Sequence, residues 1–126
     1  MPSIRLQKVA DLIRDELAES IRETVSEARK ALVTVTSVTL TPDMRLARVH
    51  VSIFPETAAR ADIITALKRH AGRLRRDLGR ALRLRHVPDL EFRLDTSAER
   101  AEVIERLIRD SRADENRSSA LPDEEE

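Results

Sequence analysis

The chain contains no cysteine, tryptophan or tyrosine, and only two phenylalanines and two glycines among its 126 residues. Without cysteine there is no disulfide, no thiolate metal site and no cysteine nucleophile, which fits a reducing cytoplasmic setting. With aromatics limited to Phe54, at a strand end, and Phe92, on an inward-facing position, a module that reads single-stranded RNA by stacking bases is disfavoured. No uninterrupted apolar run approaches the ~20 residues that span a bilayer. The N-terminus MPSIRLQKVADLIRDEL is charged throughout and has no apolar signal-peptide region. His50, His70 and His86 are the only histidines, and their spacing matches no zinc pattern. No glycine-rich phosphate loop opens a helix, and no nucleophile motif surrounds a serine or threonine. The expectation is a cytoplasmic protein that is not an enzyme, with no metal, no cofactor, no small-molecule substrate and no membrane contact.

What the chain does have is charge, at 37% of residues, with a formal net value of zero. The zero hides a strong asymmetry. Between positions 68 and 86, Lys68, Arg69, Arg73, Arg75, Arg76, Arg80, Arg83 and Arg85 face Asp77 alone. Between 110 and 126, seven carboxylates face Arg112 and Arg117. A basic block of this kind calls for an anionic partner, and an acidic, serine-containing end reads as a disordered, solvated tail.

The hydrophobic pattern orders the rest. Val9, Ile13, Leu17, Ile21 and Val25 recur every fourth residue, with Leu6 and Leu12 beside them, which predicts an amphipathic helix over 5–25. The β-branched run LVTVTSVTL, 32–40, predicts a strand whose alternation slips, so a bulge near Thr36–Ser37 is expected to restore one buried face. TPDM is a turn. RLARVHVSIF, 45–54, alternates cleanly and completes an antiparallel hairpin that Pro55 ends. A helical pattern runs from about 57 to 84, with Ile63, Leu67, Ala71, Leu74, Leu78, Ala81 and Leu82 inward, and stops before Pro88. DLEFRLD, 89–95, predicts a third strand. Thr96 and Glu99 have capping-box spacing ahead of a last helix carrying Ala101, Ile104, Leu107 and Ile108. The fold class is α+β: a single domain over 1–109, three strands with helices on one face, and an acidic disordered tail over 110–126.

Both glycines fall in HAGRLRRDLGRALRLRHVPDLEF. At 100° per residue, Gly72, Arg76, Gly79 and Arg83 lie within about 60° of one another, opposite the apolar stripe. A glycine inside a solvent-facing helix costs about 1 kcal/mol relative to alanine. Its presence is expected to mark a kink, or a place where a phosphate chain approaches the backbone between guanidiniums. Arg73, Arg76, Arg80 and Arg83 are the expected phosphate contacts, supported by Lys68, Arg69, Arg75 and Arg85. Arg45 and Arg48 on the hairpin are weaker candidates. A basic helix docking an acidic protein partner, as an adaptor would, is the alternative reading.

Over residues 4–108 the sequence resembles the ribosome-binding factor A family. The resemblance rests on RLQKVADLIRDELAESI, on VTSVTLTPDMRLARVHVSIF, and above all on GRLRRDLGRALRLRHVPDLEFRLDTS. It implies a type II KH-like domain in the order α-β-β-α-kink-α-β-α, with an Ala-x-Gly interruption between two helices. The matching positions here are His70, Ala71 and Gly72, so histidine stands where the family has alanine. The linker ETVSEARKAL also lacks the family's Asp-Pro-Arg turn. The resemblance further implies a monomer that binds the small (30S) ribosomal subunit, contacts its 16S rRNA near the 5′ end and assists late maturation and rRNA processing, without a catalytic centre.

Overall fold

The computed structural model describes residues 4–55 and 58–125, with side chains described to residue 113. Helix α1 spans Ile4–Thr24. It buries Leu6, Ala10, Ile13, Leu17 and Ile21, while Leu12 is exposed. No glycine or proline interrupts it, and Arg29 closes its end. The Arg29 guanidinium donates from Nε to the Arg22 carbonyl (3.0 Å) and from Nη2 to the Glu23 carbonyl (3.0 Å), capping two acceptors that the last turn leaves open. Arg29 belongs to a short 3₁₀ helix, Ser26–Lys30, which fills the linker.

Strands β1 (Leu32–Leu40) and β2 (Leu46–Phe54) form the expected antiparallel hairpin. The register slips between Val35 and Ser37, where the bulge was expected. Its consequence is the one the pattern required: Val35, Val38 and Leu40 all reach the core. In the turn, Thr41 Oγ1 donates to Asp43 Oδ1 (2.7 Å), which also accepts from the Arg45 amide (3.1 Å). These bonds hold the Asp43 carboxyl below its usual range.

Two helices follow, α2 (Arg60–Arg69) and α3 (Ala71–Leu82). Strand β3 (Asp89–Leu94) then pairs parallel to β2, so the sheet order is β1-β2-β3 with β2 central. Ala47, Val49, Val51, Ile53 and Phe92 form the floor of the core. Leu67, Leu74 and Leu78 come down on that core together with α1, all three fully buried. The opposite face of the sheet leaves Thr34, Thr39, Arg48 and Arg93 exposed.

The expected element order and α+β class are found, with α1, α2 and α3 packed over one sheet face. Two compact units divide the chain, the first ending at Asp95 and the second beginning at Thr96. Within the second unit, helix α4 covers Ser97–Glu125. The cause is local. No proline or glycine occurs from 97 to 121, and alanine, glutamate and arginine favour helix. Val103, Ile104, Leu107 and Ile108 are exposed on it. Among the described residues, no helix is long and apolar enough to cross a membrane.

Candidate nucleic-acid interface

The α2–α3 segment owes its position to its apolar residues. Ile63, Ala66 and Leu67 bury one side of α2, and Leu74 and Leu78 bury one side of α3. Asp77, the only carboxylate among the cations, turns toward α1 and accepts a hydrogen bond from the buried Ser20 hydroxyl (3.3 Å). The acid is therefore drawn to the helix–helix contact, and the outer surface keeps its positive charge.

The break between the helices is centred on His70, at φ −90° and ψ 3°, rather than on Gly72. Its amide donates back to Ala66 (3.0 Å), and its carbonyl accepts from Leu74 (3.0 Å). Neither glycine has a positive φ, so the kink does not draw on glycine's backbone freedom. The two glycines differ in what surrounds them. A Cβ on Gly72 would meet nothing within 4 Å. That position opens to solvent in the first turn of α3, beside helix N-terminal amides that favour anions. A Cβ on Gly79 would come within 2.8 Å of Val87 Cγ2. Gly79 is thus a close-packing position, contrary to the wheel reading that set both glycines facing solvent. The wheel treats 70–86 as one straight helix, and the chain instead folds back after Leu82 and lays Val87 on Gly79.

The cations separate into three groups. Lys68, Arg73, Arg76 and Arg80 are exposed on α2 and α3, and Arg83 and Arg85 are exposed after α3 ends. None of these six has a hydrogen bond or ion pair with a described residue. By the rise of 1.5 Å per residue, Arg73 and Arg80 stand about 10 Å apart along α3, a span that covers more than one phosphate of a nucleic-acid strand.

Two expected contacts serve the fold. Arg75 turns inward: Nε donates to the Pro88 carbonyl (3.1 Å), Nη2 donates to the Val87 carbonyl (3.0 Å), and Nη2 lies 3.4 Å from Asp89 Oδ1. Its guanidinium fastens the α3–β3 link. Arg69 donates to Glu27 Oε1 at 2.7 Å, joining α2 to the 3₁₀ helix. The Glu27 carboxyl is held below the usual carboxylate range, first by its own main-chain amide and then by the Arg69 guanidinium.

The hairpin candidates lie elsewhere. Arg45 is exposed at the end of the β1–β2 turn, and its carbonyl accepts from the Asp89 amide (2.8 Å). Arg48 stands on the open face of the sheet, across from Thr39 and Glu91, on the side away from the helices. The structural roles of Arg75 and Arg29 escaped the sequence reading, because spacing does not distinguish an arginine that binds carbonyls from one that stays free.

Residues 5–108 match the model of the ribosome-binding factor A family. This chain belongs to that family. It is 38% identical over 120 residues to ribosome-binding factor A of Thermomicrobium roseum, covering 95% of this chain and 93% of that protein. It is 36% identical over 117 residues to the family member of Desulfitobacterium hafniense, covering 93% and 94%. The crystal structure of ribosome-binding factor A from Thermus thermophilus superposes with a TM-score of 0.63 at 30% identity, over 71% of this chain and 94% of that one. A homology model of the Thermus thermophilus factor, as fitted into a cryo-EM map of a 30S–RbfA complex, gives a TM-score of 0.60 at 28% identity, over 72% and 96%. These family structures match the α+β core.

Proposed function

We propose that this protein is a monomeric, cytoplasmic assembly factor that binds the small ribosomal subunit through its rRNA. The observation that carries the reading is the set of six unpaired cations over α2, α3 and the following link, with Asp77, the one carboxylate of that stretch, turned inward to Ser20 and Glu27 and Asp89 taken up by Arg69 and Arg75. Family membership supports the choice of ribosomal RNA, and the fitted 30S–RbfA complex of a relative supports the small subunit. Contact with 16S rRNA near its 5′ end, and assistance to late maturation and rRNA processing, follow from the same resemblance. The mechanism is binding rather than catalysis. A factor that holds one rRNA conformer more tightly than others shifts the population toward it, by as much as the difference in affinity. With few aromatics available, recognition rests on phosphate charge and on the shape of the folded RNA.

Co-sedimentation with purified small subunits and with mature whole ribosomes, across a salt series, tests this. Selective binding to free small subunits that weakens steeply with salt is the expected result. Equal binding to any RNA reduces the surface to a generic basic patch. No binding at low salt removes the RNA reading and favours the adaptor that docks an acidic protein.

A further inference from the structure

Among the described residues, two non-glycines take left-handed backbone angles, Met44 (φ 59°) and Arg83 (φ 52°). Such angles bring Cβ close to the backbone and cost free energy that glycine avoids. For Met44 the reason is visible: its side chain is half-buried and packs against the core. Arg83 has no such return. It is exposed and makes no hydrogen bond or ion pair with a described residue. It caps the C-terminus of α3 at φ 52°, ψ 42°, where helices commonly place glycine. A strained position whose side chain does nothing for the fold points to a role outside it.

The link that follows is held from two sides. Val87 lies against Gly79 so closely that a Cβ there would come within 2.8 Å of it. Arg75 forks across the Val87 and Pro88 carbonyls at 3.0 and 3.1 Å. We propose that Arg83 is a dedicated phosphate contact of the RNA-binding surface, presented off the axis of α3 by its left-handed cap. Arg75 is the positioning residue that fixes the returning link and with it the Arg83 backbone. This deepens the rRNA reading and rests on it. An arginine in regular helix at this position would extend along the α3 face, in line with Arg76 and Arg80. The left-handed cap turns the chain, so the cation is offered in a second direction. A curved or two-stranded phosphate backbone is engaged by that geometry better than by a single row.

The experiment uses the full chain and purified bacterial small ribosomal subunits. Arg83→Gly keeps the left-handed cap and removes only the side chain. Its melting temperature is expected to equal or exceed that of the parent. Its affinity is expected to fall severalfold, with the slope of log K against log salt flattening by about 0.7 to 0.9, the loss of one phosphate contact. Arg83→Lys should keep most of the slope. Arg75→Lys conserves charge but cannot fork across two carbonyls, and is expected to weaken binding with no change in formal charge. Unchanged affinity and slope in Arg83→Gly would overturn the contact, and parent-like binding by Arg75→Lys would overturn the positioning role. Arg76→Glu with Arg80→Glu separates the levels: if that variant also binds like the parent, the rRNA reading itself fails.

Discussion

Helices α1 and α3 pack on each other and share one core, yet they hold their charges in opposite ways. On α1 five carboxylates share the helix with four cations. Arg14 lies 3.2 Å from Asp15 and 3.7 Å from Asp11, and Arg22 Nε donates to the Ala18 carbonyl (3.4 Å). On α3, Arg73, Arg76 and Arg80 have no described partner, and the one acid faces α1. Both helices are amphipathic and both are rich in arginine, so arginine content does not separate them. What separates them is the carboxylates: five lie along α1, and the single one on α3 faces inward. A matched face gains little from an anionic ligand, since binding must first break existing pairs. An unmatched face can neutralise phosphates directly and release the counterions condensed on the RNA.

The largest effect should come from reversing charge on each face in turn. Arg76→Glu with Arg80→Glu is expected to lower small-subunit affinity by about two orders of magnitude at physiological salt. Both side chains are exposed and off the Leu74–Leu78 stripe, so the helical circular-dichroism signal should persist. The matching variant on α1, Arg14→Glu with Arg22→Glu, is expected to change affinity by less than about threefold. Equal losses from the two would mean that net charge alone governs binding, and the contrast between the faces would be void.

The two glycines sharpen the comparison within α3 itself. Gly72→Ala adds a methyl into open space and removes glycine's entropy cost, so stability should rise by about 0.5–1 kcal/mol. Gly79→Ala drives a methyl into Val87, a β-branched side chain with little rotamer freedom, and should cost about 1 kcal/mol or more despite the better helix propensity. Thermal melts of the two single variants, with Val87→Ala as the partner to relieve the clash, give the sign directly. A Gly79→Ala protein as stable as the parent would show that the link yields. RNA affinity lost in Gly72→Ala without loss of stability would mark Gly72 as a place of ligand approach.

Those glycines also show where sequence reasoning reaches and where it stops. The strands, the bulge after Val35, the turn at Thr41–Met44 and the buried leucines of α3 were legible, because each follows from local periodicity or from a residue with one strong backbone preference. The partner of Gly79 was not legible. Val87 lies eight residues on, and only the chain reversal at Arg83 brings it back. The same holds for Arg75, whose acceptors are main-chain carbonyls that no residue type announces. The parallel pairing of β3 with β2 went unassigned, since strand order is a property of the tertiary fold.

A smaller effect tests the contact that the two helices share. Ser20 is buried at the α1–α3 junction and donates to Asp77. Ser20→Ala removes that bond and should destabilise the domain by about 1 kcal/mol, measured by denaturant melting. It also frees the Asp77 carboxylate near the cationic face, so a modest fall in RNA affinity should accompany it. Destabilisation without any change in affinity would mean that the inward turn of Asp77 has no bearing on the surface potential.

The smallest expected effect concerns Arg69, which with Arg75 is one of two cations of this segment that have a carboxylate partner. Glu27 holds it at 2.7 Å, and the Glu27 carboxyl titrates below the usual carboxylate range. A depressed folded-state value makes the contribution to stability present above the unfolded carboxylate value and lost as pH falls through the lower folded value. The melting-temperature difference between the parent and Glu27→Gln should therefore be present at neutral pH and close in the acid range below about pH 4. A difference that persists unchanged at pH 3 would assign it to packing. At neutral pH, Glu27→Gln also releases Arg69 to join its unmatched neighbours. Small-subunit affinity should then rise by no more than about threefold, with a slightly steeper salt slope. Such a gain, obtained by deleting an acid on a different element, would show that pairing state rather than arginine count sets the strength of this face.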